Sequence, residues 1–244
     1  GSFRESIRGI ARKLENTIER RKVKVILVTS TAAGEGKSIL SQNLAESFAY
    51  WGKKVVLLDG DFRKPALYRR YGFKNEKLSI EAVLSGEAPL DTVLKKRYED
   101  KLTMILNSEI VRKPTVVIDS DALKEMVDSF KADADIVIID TPPCGQLSDA
   151  SIFQQYADGV LFIVEQDRMS IHQIVEAAEN LCDFENKLLG FVLNGAQKVH
   201  RGYGKYGYGK YGYGKYGYGY YAKHGYDNYG ESGKHAKHQR EESK

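Results

Sequence analysis

The chain has 244 residues, 42% hydrophobic and 29% charged, an ordinary composition for a soluble globular protein of one or at most two domains. Its longest apolar runs, residues 25–28 and 136–139, are strand-sized and exclude a transmembrane helix, while two cysteines, Cys144 and Cys182, exclude a disulfide framework and favour a reducing cytoplasm. The net charge of +4 divides into +5 on residues 201–244 (9 basic, 4 acidic) and −1 on residues 1–200 (28 basic, 29 acidic), a near-neutral body that argues against a nucleic-acid-binding fold.

In chain order, Phe3, Ile7, Ile10, Leu14 and Ile18 recur at helical spacing, with Arg and Glu on the other side. Residues 23–29 read as a strand, 38–50 as a helix ended by Gly52, and 55–58 as a second strand. A short helix follows at 80–84, closed by Gly86, then a strand at 102–106. Residues 116–130 have helical spacing from Leu123 onward, but 116–118 also fit a strand, and both readings stay open. The runs 136–139 and 160–164 are continuous and apolar, as expected of parallel strands covered on both faces. Helices near 150–156 and 171–182 flank the latter, and a last strand spans 188–193. Strands alternating with helices imply an α/β fold, a three-layer sandwich around a mostly parallel sheet. The chain opens Gly1-Ser2 without an initiator Met, as a cleaved tag would leave it, so it is read as a fragment and an upstream membrane segment stays open.

Composition changes abruptly near Gly195. A five-residue repeat occupies 206–210, 211–215 and 216–220, and residues 201–244 hold 11 of the 16 tyrosines and 11 of the 23 glycines. So much glycine makes ordering entropically expensive, and no aliphatic partners offset it. Residues 1–200 are therefore expected to form the folded domain and 201–244 a disordered tail.

The first strand runs into STAAGEGKS at residues 30–38, followed by a helix, which is the context of a phosphate-binding P-loop. Gly34 and Gly36 let successive amides face a phosphate, and the helix N-terminus adds positive partial charge. Ala33, Gly34, Glu35, Gly36, Lys37, Ser38 and Ile39 are the expected nucleotide contacts; Lys37 would reach the β and γ phosphates and Ser38 would ligate Mg²⁺. The plain alternative is a glycine-rich turn without a ligand, and Thr31 stands where the first glycine of the usual motif falls, so the loop is a variant. Asp59 and Asp61 lie just past the second strand and Asp140 just past 136–139, where open parallel sheets bind ligands. Carboxylates there can hold hydrated Mg²⁺ and polarise a hydroxyl, or each can simply cap the next turn. Asn194 fits an adenine contact or a turn-forming Asn-Gly; Arg63 fits a phosphate contact or a carboxylate partner across a subunit boundary. Cys144 reads as structural, and His224, His235 and His238 as solvated tail residues.

The variant P-loop, the DGDFRKP of residues 59–65 and the IIDTPP of residues 138–143 together resemble the bacterial protein-tyrosine kinases of capsule and exopolysaccharide synthesis. The resemblance runs over residues 5–194, including LSGE at 84–87 and SDA at 148–150, and continues into a tyrosine-rich C-terminus. It implies that the P-loop is Walker A, that Asp59 and Asp61 belong to Walker A′, and that Asp140 is Walker B. Lys37, Asp59, Asp61, Arg63 and Asp140 would then be the catalytic set, with ATP as cofactor and Mg²⁺ held by Ser38, Asp59 and Asp140. The implied acceptors are Tyr203, Tyr206, Tyr208, Tyr211, Tyr213, Tyr216, Tyr218, Tyr220, Tyr221, Tyr226 and Tyr229, phosphorylated in trans within a homo-oligomer. A membrane-spanning activator, a cognate tyrosine phosphatase and a place at the inner face of the cell membrane come with the resemblance, as does regulation of polysaccharide polymerisation and export.

Two stretches depart from the family pattern. Its first-helix motif of Glu and two Arg is matched by Glu5 and Arg8, but Ala11 takes the third position and Arg12 is out of register; the segment 107–117 also differs. A flexible glycine-rich chain of ~25 residues spans roughly 25–30 Å, enough to reach a neighbouring site. Phosphorylating all the tail tyrosines at about −1.5 to −2 each would take its charge from +5 to roughly −12 to −17, which would loosen an oligomer. Competing readings are a partition or cell-division-site ATPase, which normally carries a lysine where Ala32 stands, and a nucleotide-binding adaptor whose tyrosines act as aromatic stickers.

Overall fold

The computed structural model describes residues 2–73, 76–145, 148–181 and 186–196. The chain divides into two units, Gly1–Lys198 and Val199–Lys244; the tail tyrosines, the tail histidines and Cys182 lie outside the described residues. The first unit runs α1 (Ser2–Arg21), β1 (Val25–Ser30), α2 (Lys37–Tyr50), β2 (Val55–Asp59), α3 (Leu67–Arg70), α4 (Ile80–Leu84), β3 (Leu94–Arg97) and β4 (Leu102–Ile105). It continues with α5 (Pro114–Ile118), α6 (Asp121–Asp133), β5 (Ile136–Asp140), α7 (Asp149–Phe153), β6 (Gly159–Glu165), α8 (Ile171–Leu181) and β7 (Leu188–Asn194).

The strands form one sheet in the order β3-β4-β2-β5-β1-β6-β7, with helices flanking it in the expected three layers. Every neighbouring pair is parallel except β3 with β4. Every residue of β1, β2 and β5 is buried, which is why these strands read as unbroken apolar runs. Against α2 and the sheet, α1 buries Ile7, Ala11, Leu14 and Ile18, while Phe3 in its first turn is 52% exposed. Ala11 therefore faces the core, and Arg12 instead lies over the Trp51 ring, 4.1 Å from its centroid, and pairs with Glu15.

Two regions are settled only by the structure, one that periodicity leaves open and one that it does not mark. Residues 116–118 are helical: Pro114 starts α5 at a position where its missing N–H is no loss, and Ser120 then caps α6 by accepting from the Leu123 amide at 3.2 Å. The edge strand β3 carries only the sequence LKKR and has no apolar alternation; it forms because it pairs antiparallel with β4, Leu94 opposite Ile105 and Arg97 opposite Leu102. Their connection is tight, with Tyr98, Glu99 and Asp100 at φ of 54°, 51° and 64°.

The placement of β5 between β2 and β1 decides the rest. Register sets Asp59 beside Asp140 and Asp140 beside Val28, so two acidic strand ends stand side by side under the loop that leaves β1.

Candidate active site

The loop between β1 and α2 turns through Gly34 (φ 85°) and Gly36 (φ 99°), conformations that L side chains rarely adopt. At Gly36 a side chain also has no room, since a Cβ there would sit 2.5 Å from the Asn194 amide nitrogen. Gly36 is the N-cap of α2, no side chain caps the helix and no acidic residue occupies its first turn. Its first amides and their partial positive charge are thus left for an anion. Ala33, Gly34, Gly36, Lys37, Ser38 and Ile39 line a cavity of about 690 Å³, whose other wall includes Asp61, Arg63, Lys64, Arg69 and Arg70.

Two of the expected nucleotide contacts hold the loop itself. Glu35 is fully buried; it accepts from the Ala32 amide at 2.7 Å and from the Glu165 amide at 3.2 Å. Asn194 donates its side-chain amide to the Glu35 carbonyl at 2.9 Å. The loop is therefore fastened to the ends of β6 and β7 as well as to β1. Glu165 and Arg168, which bonds the Ala33 carbonyl at 2.5 Å, went unnoticed in the sequence, for nothing in a single charged turn signals a contact 135 residues away.

Beneath the loop, Asp59 and Asp140 are each only 1% exposed. Burial pushes the Asp140 carboxyl up to about 6, against the pull of bonds from Ser38 and Ser41 and the charge of Lys37. Its Oδ1 accepts from Ser41 Oγ at 3.1 Å. Burial, then the neighbouring charges of Asp140 and Asp61, hold the Asp59 carboxyl well above the usual carboxylate range. One Asp59 oxygen accepts from the Leu67 amide at 3.2 Å, and the other, Oδ1, is buried with no partner. Desolvation lowers the Lys37 ammonium, opposed first by Asp140 and then by Asp61 and Glu35. Such an orphaned carboxylate oxygen, next to a second carboxylate and Ser38, fits a divalent cation. Among the described residues, no group of three His, Cys, Asp or Glu side chains forms a metal cage by itself.

Asp61 stands at the lip, half-buried, with Oδ1 accepting from the Lys64 amide at 3.0 Å. Arg63 meets a carboxylate of its own chain: Nε and Nη2 bond the two oxygens of Asp149 at 2.7 and 2.8 Å. Asp149 is fully buried, and the edge-on packing of Phe62 against Phe153 at 5.7 Å fixes the same junction between the β2 loop and α7. Cys144, half-buried, donates its backbone amide to the Ser30 carbonyl at 2.9 Å, behind the loop.

A doubly wound sheet, an anion-ready loop and paired acidic strand ends define a P-loop NTPase, and the family profile described as "ParA: NUBPL iron-transfer P-loop NTPase" matches residues 21–211. Tyrosine-protein kinase YwqD of Bacillus subtilis is 33% identical over 203 residues, 83% of this chain and 85% of that protein. Tyrosine-protein kinase CpsD of Streptococcus pneumoniae serotype 4 is 33% identical over 183 residues, 75% of this chain and 81% of that one. Among solved structures, the chimerical protein CapA2B2 superposes with a TM-score of 0.70 at 28% identity, over 78% of this chain and 83% of that chain. The chain belongs to the bacterial tyrosine-protein kinases of capsule and exopolysaccharide synthesis. The profile shows the P-loop NTPase class, and the kinase relatives give the branch within it, in place of the partition-ATPase reading. Among the described residues no helix is long and apolar enough to cross a membrane.

Proposed function

We propose that this chain transfers the γ-phosphoryl group of Mg·ATP to tyrosine hydroxyls, its own C-terminal tyrosines being acceptors in trans. The observation that carries the reading is Asp59 Oδ1, buried without a partner beside Asp140 and under a loop with uncommitted amides. Ser38, Asp59 and Asp140 would hold the metal, which when bound neutralises charge on the β- and γ-phosphate oxygens. Lys37 and the amides of 34–38 bind and orient the phosphates, and Lys37 with the amides at the head of α2, 37 and 38, opposes the charge that develops as the bond to the β-phosphate breaks. Asp61, at the open lip, orients the incoming phenol and takes its proton. Arg63 acts through Asp149 to hold the Asp59–Asp61 loop in place. Asn194 acts through the Glu35 carbonyl, a positioning role held alongside the adenine contact its place at the end of β7 suggests.

Glycine on either side of many tail tyrosines leaves the phenol unobstructed, and the charge reversal that follows modification would loosen an oligomer. We extend the reading to control of polysaccharide polymerisation and export at the inner membrane face, through a membrane-spanning activator and with a phosphatase to reset the tail. Phosphopeptide mass spectrometry after incubation with Mg·ATP and the activator segment tests it. Tail phosphotyrosine in the full chain and none in Lys37→Met is the expected result. Equal labelling in both, or labelling undiminished after deletion of residues 201–244, overturns it.

A further inference from the structure

The turn that follows β6 carries a residue with no assigned task. Asp167 adopts φ 61°, a left-handed conformation that Asp tolerates better than most side chains, and this sends Arg168 back over the phosphate loop. There the guanidinium makes two bonds. Nη1 donates to Glu165 Oε2 at 2.5 Å, and Nη2 donates to the carbonyl oxygen of Ala33 at 2.5 Å. The Glu165 pair is local and exposed, 41% and 34% for the two side chains, so by itself it contributes little. The Ala33 bond is different, because it grips the crest of the loop.

A trans peptide fixes its C=O and N–H in opposite directions. Holding the Ala33 carbonyl outward therefore turns the Gly34 N–H away from Arg168, toward the cavity that Ala33 and Gly34 line. The peptide needs that restraint, since Gly34 has no Cβ to bias its conformation and sits at φ 85°. The guanidinium also covers Gly34, with Nη2 3.3 Å from where a Cβ would stand. Glu35 completes the arrangement from below, bonding the Ala32 and Glu165 amides, so residues 32, 33 and 35 are all fixed to the end of β6.

We propose that Arg168 is a positioning residue of the nucleotide site: it clamps the Ala33 carbonyl so that the crest amides are set for the phosphates before nucleotide arrives. The inference rests on the nucleotide-binding reading and deepens it. Arg168 acts on binding and leaves the transfer step alone, because it acts through the loop and touches neither Lys37 nor the acidic strand ends.

The test uses the full chain and its Arg168→Ala and Arg168→Lys variants, with Mg·mant-ADP titrations and steady-state labelling from γ-labelled ATP. Losing one charge-assisted bond to a carbonyl predicts Mg·mant-ADP affinity about 5- to 20-fold weaker in Arg168→Ala. KM for ATP rises in step, kcat stays within about twofold, and the melting temperature moves by less than about 2 °C, because an exposed side chain is being removed. Arg168→Lys, which keeps a donor, recovers part of the affinity. Unchanged affinity in Arg168→Ala overturns the inference while leaving the kinase reading intact. A fall in kcat with KM unchanged, or a loss of affinity matched by a large drop in melting temperature, overturns it as well. If the wild-type chain binds no nucleotide, the underlying functional reading fails first.

Discussion

Replacing Asp140 by Asn is expected to stabilise the nucleotide-free protein while destroying its Mg²⁺-dependent nucleotide binding. The carboxyl is 1% exposed, and burial pushes it up to about 6 from an ordinary 3.8. At about 1.4 kcal/mol per pH unit, ionising it in the folded state costs roughly 3 kcal/mol. The folded value lies above the unfolded one, so the protein is spared this penalty below about pH 4, and stability is lost as pH rises from there through about 6. Asn keeps the shape and an oxygen for the Ser41 hydroxyl, but it also removes the largest charge attracting the desolvated Lys37 ammonium. The net gain is then about 2 kcal/mol at pH 7.5, or roughly 4–8 °C in a domain of this size. Thermal melts in EDTA, repeated down to pH 4, measure the gain and its expected shrinkage, and calorimetric titration with Mg·ADP measures the lost binding. A variant that melts at or below the wild type at pH 7.5, or a gain that does not change with pH, refutes the electrostatic reasoning. The result would identify the paired strand ends as a place where stability is given up for cation chemistry.

Strands buried on both faces announce themselves, because a continuous apolar run bounded by turn residues has few other uses. That is why β1, β2, β5 and β6 were legible, as was α2 after the glycine loop. What escaped, or stayed open, was structure whose cause is tertiary. β3 has no pattern of its own and exists through its pairing with β4, while residues 116–118, which fit a helix or a strand, take the helix that Pro114 begins. Spacing placed Ile7, Leu14 and Ile18 on the buried side of α1, but only packing shows Ala11 to be wholly enclosed there.

The acidic strand ends and the loop were legible for a chemical reason: glycine, lysine and serine at that spacing have one well-known use, and carboxylates at the ends of buried strands are expensive unless something repays them. The division of labour within the loop was not legible. Glu35 and Asn194 carry polar groups that suit a nucleotide equally well, and only their distances show both engaged in holding the backbone. For Arg63 the sequence offered a phosphate or a carboxylate across a subunit boundary, and the structure shows a third partner, Asp149 of the same chain 86 residues later, because α7 brings a buried carboxylate against the β2 loop. Contacts of that range leave no periodic trace.

Two further predictions concern charges that stabilise the fold. Arg63→Ala leaves the Asp149 carboxylate fully buried without its bidentate partner. Because Arg63 is 38% exposed, water relieves part of the 3–5 kcal/mol typical of a broken buried pair, so about 2 kcal/mol is expected in chemical denaturation, with Arg63→Ala/Asp149→Leu recovering much of it; no recovery in the double variant would refute the pairing argument. At the other end of the sheet, Asp158 accepts from the Lys24 and Val25 amides at 3.0 and 2.9 Å and from the Lys131 ammonium at 2.7 Å, joining the starts of β1 and β6. Burial raises this carboxyl, but the Lys131 bond and the two amides outweigh it and leave it below the ordinary value. A depressed folded value contributes stability that is present above about pH 4 and lost as pH falls through the folded value, the reverse of Asp140. Asp158→Asn is therefore expected to cost about 1 kcal/mol at pH 7, since solvent reaches the pair, and the gap to wild type should close in acid. Nucleotide affinity should not change, because this junction lies at the amino ends of the strands. A gap that persists undiminished below pH 3 would mean that Asp158 works through packing, and the electrostatic account of that junction would have to be abandoned.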